Sequence, residues 1–267
     1  MKKLILLFAI TCFLTSCNVT ESIIFNEDMS GKYATTMDLA PMMEFASENR
    51  PSSAEGPKME KMDTTIVFND FYEAHKDSIA TLSEEQRAKF ETLKGMVLDM
   101  NIDEANNVFN IKMGKTFEDF NELGNVFEQM DETMNYVKAI GNKDGQAPSE
   151  QLDELTKTDK VKYTFENNTF SRFEPNSMNS DDSEESLDEM EEEGEKDEFS
   201  EQFEMQFQEI FSGSYYTLIY KFPRKVKSVS KENAVISEDG KTVTYKVDWD
   251  TLKDDDTALN LDVVLED

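Results

Sequence analysis

Apolar residues recur along this chain with two different periods, and the change from one to the other predicts the elements. Ile23, Ile24 and Phe25 precede the turn-rich run Asn26-Glu27-Asp28-Met29-Ser30-Gly31, and Tyr33, Thr35, Met37 and Leu39 then alternate, which predicts a hairpin. Ala46 to Lys61 is polar and carries Pro51, Gly56 and Pro57, so it reads as a loop, with residues 63–68 extended and 69–82 helical. Ser83 and Gln86 have the spacing of a capping box, which predicts a helix start; Phe90 and Leu93 share one face and Gly95 closes the end. Met96, Leu98, Met100 and Ile102 alternate as a strand that returns through Phe109, Ile111 and Met113. From Phe117 the period changes. Phe117, Phe120, Leu123, Phe127, Met130, Met134 and Val137 step by three and four, predicting a long amphipathic helix.

In the second half, Val161, Tyr163 and Phe165 alternate into Asn167-Asn168, and Phe170 and Phe173 return, a second hairpin. Phe199, Phe203, Phe207 and Ile210 repeat at helical intervals. Tyr216, Leu218, Tyr220 and Phe222 alternate, as do Val243, Tyr245, Val247 and Trp249 after the Asp239-Gly240 turn; Leu259, Leu261, Val263 and Leu265 make a closing strand. The expected fold class is α+β: an antiparallel sheet of hairpins from both chain ends packed against two or three amphipathic helices. Residues 17–267 are expected to form a single domain, with an acidic insertion, helical or partly disordered, at about 177–211.

Charge narrows the partners. Lys and Arg number 27 against 57 Asp and Glu, a net charge of −30, which repels nucleic-acid phosphates. Fourteen acidic residues and one lysine lie between Asp181 and Glu204, so that stretch is expected to face water.

The first residues carry the most specific chemistry. Met1-Lys2-Lys3 is cationic, and Leu4 to Leu14 is apolar but shorter than the roughly 20 residues of a membrane-spanning helix, so residues 1–16 read as a secretory signal peptide. Leu14-Thr15-Ser16-Cys17 then resembles the bacterial lipoprotein signal, in which a branched apolar residue and two small ones precede the cysteine that is acylated before cleavage. The resemblance implies a diacylglycerol thioether with palmitate-type chains on Cys17, the lipidation site, and hence a membrane anchor without a spanning segment. Cys12 would leave with the signal, and no free thiol would remain for a disulfide, a thiolate metal site or a nucleophile. The expected location is the cell envelope, anchored in the outer membrane and facing the periplasm. Asn18 is not the aspartate that retains some lipoproteins at the inner membrane, and Val19-Thr20-Glu21 lacks a dense acidic export cluster.

Lys221-Phe222-Pro223-Arg224-Lys225-Val226, followed by Ser237-Glu238-Asp239-Gly240-Lys241-Thr242-Val243-Thr244-Tyr245-Lys246-Val247-Asp248, resembles the closing half of the LppM-type lipoprotein domain family. Asp28 and Gly31 in the first turn and Phe117-Glu118-Asp119-Phe120 agree in outline with its front half. The chain is also similar to uncharacterised envelope lipoproteins of the Bacteroidota. The resemblance implies a fold and an envelope setting, and the family has no agreed catalytic residues to carry over.

The remaining candidates for chemistry are few. His75 is the one imidazole, in a polar helical stretch without a nucleophile motif, and reads as a surface residue. Asn26 to Gly31 spaces oxygens like a calcium loop, but Met37 occupies the twelfth position where a bidentate carboxylate belongs. Asp254-Asp255-Asp256 and the run from Asp188 to Glu195 read as solvated acidic loops, and the single Trp249 as core. No catalytic residue, metal site or cofactor is expected. The Met and Phe stripe from Phe117 to Val137 reads as core packing before it reads as an apolar groove. Phe199, Phe203 and Phe207 form a speculative ligand or partner face. The function expected is a non-enzymatic binding module for an amphiphilic or apolar envelope ligand. The alternatives are a protein-interaction scaffold using the acidic amphipathic helix and, behind it, a hydrolase with a carboxylate pair.

Overall fold

Alternating apolar and polar side chains build twelve strands among the residues that the computed structural model describes, 18–41, 43, 61–126, 129, 161–174, 211 and 213–267. The first hairpin is β1 (Asn18–Phe25) and β2 (Gly31–Asp38), followed by β3 (Met62–Val67), helices α1 (Phe68–Ala80) and α2 (Glu84–Thr92), and the hairpin of β4 (Met96–Asp103) with β5 (Val108–Phe117). Then come β6 (Lys162–Glu166), β7 (Thr169–Phe173), β8 (Tyr215–Lys221), β9 (Val226–Val229), β10 (Val235–Ile236), β11 (Thr242–Asp248), α3 (Trp249–Asp254) and β12 (Leu261–Leu265).

The strands divide into an eight-stranded sheet, order β10-β11-β8-β1-β2-β5-β4-β3, and a four-stranded sheet, order β6-β7-β12-β9. The N-terminal hairpin does join C-terminal strands. β1 pairs with β8 from Asn18 opposite Tyr215 to Ile24 opposite Lys221, but in parallel, so the large sheet is mixed. β1 is therefore an interior strand. Its inward residues Glu21, Ile23 and Phe25 meet β7 of the smaller sheet, where Phe170 lies 5.4 Å from Phe25 between ring centroids.

This arrangement corrects the expected α+β class. The core partner of the large sheet is a second sheet rather than two or three amphipathic helices. Both sheets have one apolar face, and each covers that of the other, as in a sandwich. The described helices are short: α1 buries only Phe68 and Ile79, and α3 has no buried residue. The predicted helix from Phe117 fails at its start because Phe117 is the last inward residue of β5, in phase with Met113. A 3-10 turn follows at Phe120–Asn125, and its Leu123 and the next residue Val126 are buried; residues 130–137 lie outside the described residues. β11 stops at Asp248, whose carboxylate accepts from the Thr251 N–H at 2.9 Å and starts α3, so Trp249 is helical and half-buried.

The turn from Asn26 to Ser30 closes the first hairpin. The Asn26 N–H donates to the Ser30 carbonyl at 2.8 Å, Met29 takes a φ of 65°, and Asp28 accepts from the Ser30 N–H and hydroxyl. These bonds to Ser30 hold the Asp28 carboxyl below its usual range. Gly31 follows because β1 and β5 leave no room for a side chain there. A Cβ would stand 2.2 Å from the Ile24 carbonyl oxygen and 2.7 Å from the Phe117 ring. Gly31→Ala is expected to cost about 1–3 kcal/mol by overpacking. Gly124→Ala, with nothing within 4 Å of the added methyl, should be near neutral, and urea denaturation of the two variants checks the difference.

Candidate functional site

A charged residue in phase with the apolar face of an interior strand must bring its partners with it. Glu21 on β1 is such a residue: it is fully buried, two positions before Ile23. The Tyr163 hydroxyl on β6 donates to its Oε1 at 2.8 Å, and the Tyr220 hydroxyl on β8 donates to the same oxygen over a short bond. The Tyr216 hydroxyl, also on β8, reaches Oε2 at 3.1 Å. The fourth donor is Arg172 on β7, 1% exposed, whose Nε lies 3.4 Å from Oε2. Arg172 Nη1 also donates to the Leu259 carbonyl at 3.2 Å and to Glu174 at 3.4 Å. Tyr33 on β2 adds a further phenol beside Tyr163.

Strand alternation explains the gathering. Glu21, Tyr216, Tyr220 and Tyr33 project from the large sheet toward the small one, and Tyr163 and Arg172 project back. Burial, then the nearby Glu21 carboxylate, holds all four phenols, Tyr33, Tyr163, Tyr216 and Tyr220, well above the usual tyrosine range. For Arg172, burial opposes the charge, and Glu21 with the surrounding phenols overrides it, raising the guanidinium further. Both Glu21 oxygens are engaged by donors, so the carboxylate acts as a fixed anchor between the sheets.

Below this polar group, toward the far end of β1, the interior turns aromatic. Phe170 packs edge-on against Tyr220 at 5.1 Å and against Phe222 at 5.6 Å, and Phe25 stacks on Phe222 at 5.3 Å. Phe117 meets Phe25 at 6.0 Å. Phe120, on the 3-10 turn, stacks on Phe25 at 6.2 Å and faces Phe165 of β6 at 6.3 Å. Phe120 and Phe165 are half-buried, so they form the rim of a cluster whose other members are closed in. The packed interior between the sheets thus runs from a charged and phenolic centre to an aromatic edge at Phe120 and Phe165.

Two open depressions lie outside this interior. One, of about 510 Å³, includes Arg172, Lys231, Asn260 and Asp262 in its lining. The other, of about 460 Å³, is lined by Tyr72, Lys94, Lys115, Glu118 and Glu122 among others; burial lowers the Lys115 ammonium below its usual range.

Of the residues singled out in the sequence, His75 is exposed on α1 with its ring 4.5 Å from Phe71. Asp255 accepts from the Thr257 N–H and hydroxyl and closes a turn. Cys17, the acidic run and Phe199, Phe203 and Phe207 lie outside the described residues. Glu21 and Arg172 were missed. The signal was present, since each stands at an inward step of an alternating strand, two residues from Ile23 and Phe170 respectively. Among the described residues no group of three or more His, Cys, Asp or Glu is placed to hold a metal ion.

No family model matches the chain, and no curated protein does. Among solved structures, it is similar to the folded domain of LppM from Mycobacterium tuberculosis, determined by NMR. The match covers 94% of this chain and 91% of that one, with 9% sequence identity and a TM-score of 0.35. That neighbour bears the name of the family the turn motifs resemble, but the likeness at this score carries no argument about function. The likeness to lipoproteins of the Bacteroidota finds no support.

Removing one member of the buried pair should be worse than removing both. Arg172→Ala is expected to destabilise the domain by about 3–5 kcal/mol because Glu21 is left buried without its counter-charge, and Glu21→Gln with Arg172→Met should lose less. A denaturant series on the three proteins measures this. The raised phenols make a separate prediction. Folded values above the unfolded one mean that their contribution to stability is complete below pH 10 and is lost as pH rises through the folded values. Tyrosinate absorbance should therefore show these four of the eight tyrosines ionising only together with cooperative alkaline unfolding; gradual ionisation with unchanged circular dichroism would contradict it.

Proposed function

We propose that the chain is a lipid-anchored envelope protein, held by acylated Cys17, whose two-sheet domain is a non-enzymatic binding module for an amphiphilic or apolar ligand. The observation that carries this reading is the graded interior: six phenylalanines from both sheets and the 3-10 turn, bounded by the half-buried Phe120 and Phe165, leading to the Glu21, Arg172 and tyrosine centre. An apolar chain entering beside Phe120 and Phe165 would exchange ring contacts for contacts with itself and leave its polar head at the rim, while the donors at the far end stay bonded to Glu21. Binding sites for such ligands combine aromatic walls with a few placed polar groups. The engagement of both Glu21 oxygens by donors argues against its use as a general base, which favours binding over hydrolysis.

An anchor at Cys17 and the aromatic rim would lie at opposite ends of β1. β1 begins at Asn18, directly after Cys17, and ends at Phe25 beneath the aromatic cluster. The rim would then face away from the membrane that holds the anchor, toward the envelope space from which a ligand would come.

Native mass spectrometry of the domain purified from its own envelope, before and after delipidation, tests the reading. A retained lipid-sized mass is expected, and a fluorescent fatty acid should bind and be displaced by it. Phe120→Ala and Phe165→Ala should each weaken that binding about tenfold, equivalent to about 1.4 kcal/mol, with the fold intact. A clean apo mass together with no binding of the fatty acid would overturn it.

A further inference from the structure

An anchor joined to a fold without a spacer also decides which surface meets the bilayer. β1 starts one residue after Cys17, and consecutive Cα atoms are about 3.8 Å apart, so the acylated residue has no slack. Nor can β1 peel away to supply some. It is paired along its whole length with β2, and with β8 from Asn18 to Ile24.

The registers define what stands beside Asn18. Across the sheet at that level lie Asp248, Tyr215, Asn18, Asp38, Asn110, Asn101 and Asp63. Trp249 follows Asp248 directly. Its backbone N–H donates to the Ser214 carbonyl at 3.0 Å, and its ring is held against Phe211 at 4.6 Å between centroids. The Tyr215 ring carries the Lys246 ammonium at 3.5 Å from its centroid. Adjacent strands are about 4.8 Å apart, which puts Tyr215 one strand and Trp249 two strands from the anchor.

We infer that this end of the eight-stranded sheet, with Tyr215, Asp248 and Trp249 on one side of the anchor and Asp38 on the other, is a membrane-contacting surface fitted to zwitterionic lipid headgroups. This rests on the acylation of Cys17 proposed above. Tyrosine and tryptophan are the side chains that settle at the headgroup level of a bilayer. The outermost group of a zwitterionic phospholipid is an ammonium, which carboxylates attract. An anionic surface would instead meet Asp38, Asp63 and Asp248 on a chain of net charge −30.

Trp249 is the one tryptophan in the chain, so its fluorescence reports this contact without labelling. The lipidated protein is reconstituted into phosphatidylcholine vesicles with and without lipid brominated near the head of its acyl chains. Two readouts are taken, co-flotation and Trp249 emission. Flotation together with a blue shift and bromine-dependent loss of emission is expected, and the loss should shrink when phosphatidylglycerol is added at low salt. A second protein, Trp249→Phe with Lys32→Trp, moves the reporter to the far end of the sheet, roughly 20 Å along the strands, and should float without quenching. Flotation with Trp249 unquenched, or with both reporters quenched alike, overturns the orientation while leaving the anchor standing. Failure to float overturns the anchor, and the orientation with it.

Discussion

A carboxylate in an apolar interior is the costliest group this fold contains, and the packing of its two sheets is organised around satisfying it. Removing Glu21 from water disfavours its charge by several kcal/mol unless donors replace the lost hydration. Those donors come from β6, β7 and β8, across both sheets and from segments more than 140 residues away in sequence. The distance between the sheets, the register of β7 against β12 and the inward phase of β8 must therefore agree for the four bonds to form together. A slip of one residue in β7 would turn Arg172 outward and Ser171 inward, leaving the charge uncompensated. Hydrophobic burial draws the sheets together, and the polar centre selects one arrangement among the many that burial would accept.

The aromatic cluster works on different terms. Its rings contact one another at centroid separations of 5.1–6.4 Å, in both stacked and edge-on geometries, and such contacts tolerate repacking better than the directional bonds at Glu21 do. The interior thus has an end held by directional bonds and an end held by ring contacts. The half-buried edge of the second is shared between Phe120 on the 3-10 turn and Phe165 on β6.

Individual strands were legible where only one face is buried. β2, β5 and β11 alternate cleanly, and their inward residues match the apolar positions of the sequence. The pairing of strands was less legible, because alternation states which face is buried and not what covers it. Phe170 in β7 and Val263 in β12 look the same in sequence whether they face a helix or a second sheet. The period change at Phe117 misled for a related reason. The last inward residue of β5 and the residues of the 3-10 turn, Phe120 and Leu123, happen to fall three apart, which mimics a helical stripe. Glu21 was passed over because a charged residue early in the chain reads as solvent-facing; only its phase with Ile23 and Phe25 speaks against that. The tyrosines were counted as apolar members of their strands, and their hydroxyls needed a partner that the sequence does not point to.

The same phase argument links the start of β1 to the polar centre. Asn18 and Glu21 lie on one strand three residues apart, roughly 10 Å along it, and β1 cannot move relative to its neighbours without breaking bonds on both sides. A pull applied at the start of β1 acts directly on the strand that carries the buried carboxylate. The central position of β1 spreads such a force over two ladders, and its bonds across the gap to Tyr163 and Arg172 pass part of it to the second sheet. An edge strand in that place would peel from the sheet one bond at a time. In this topology the ladders and the buried ion pair must shear together, so the first strand of the fold is tied into both sheets.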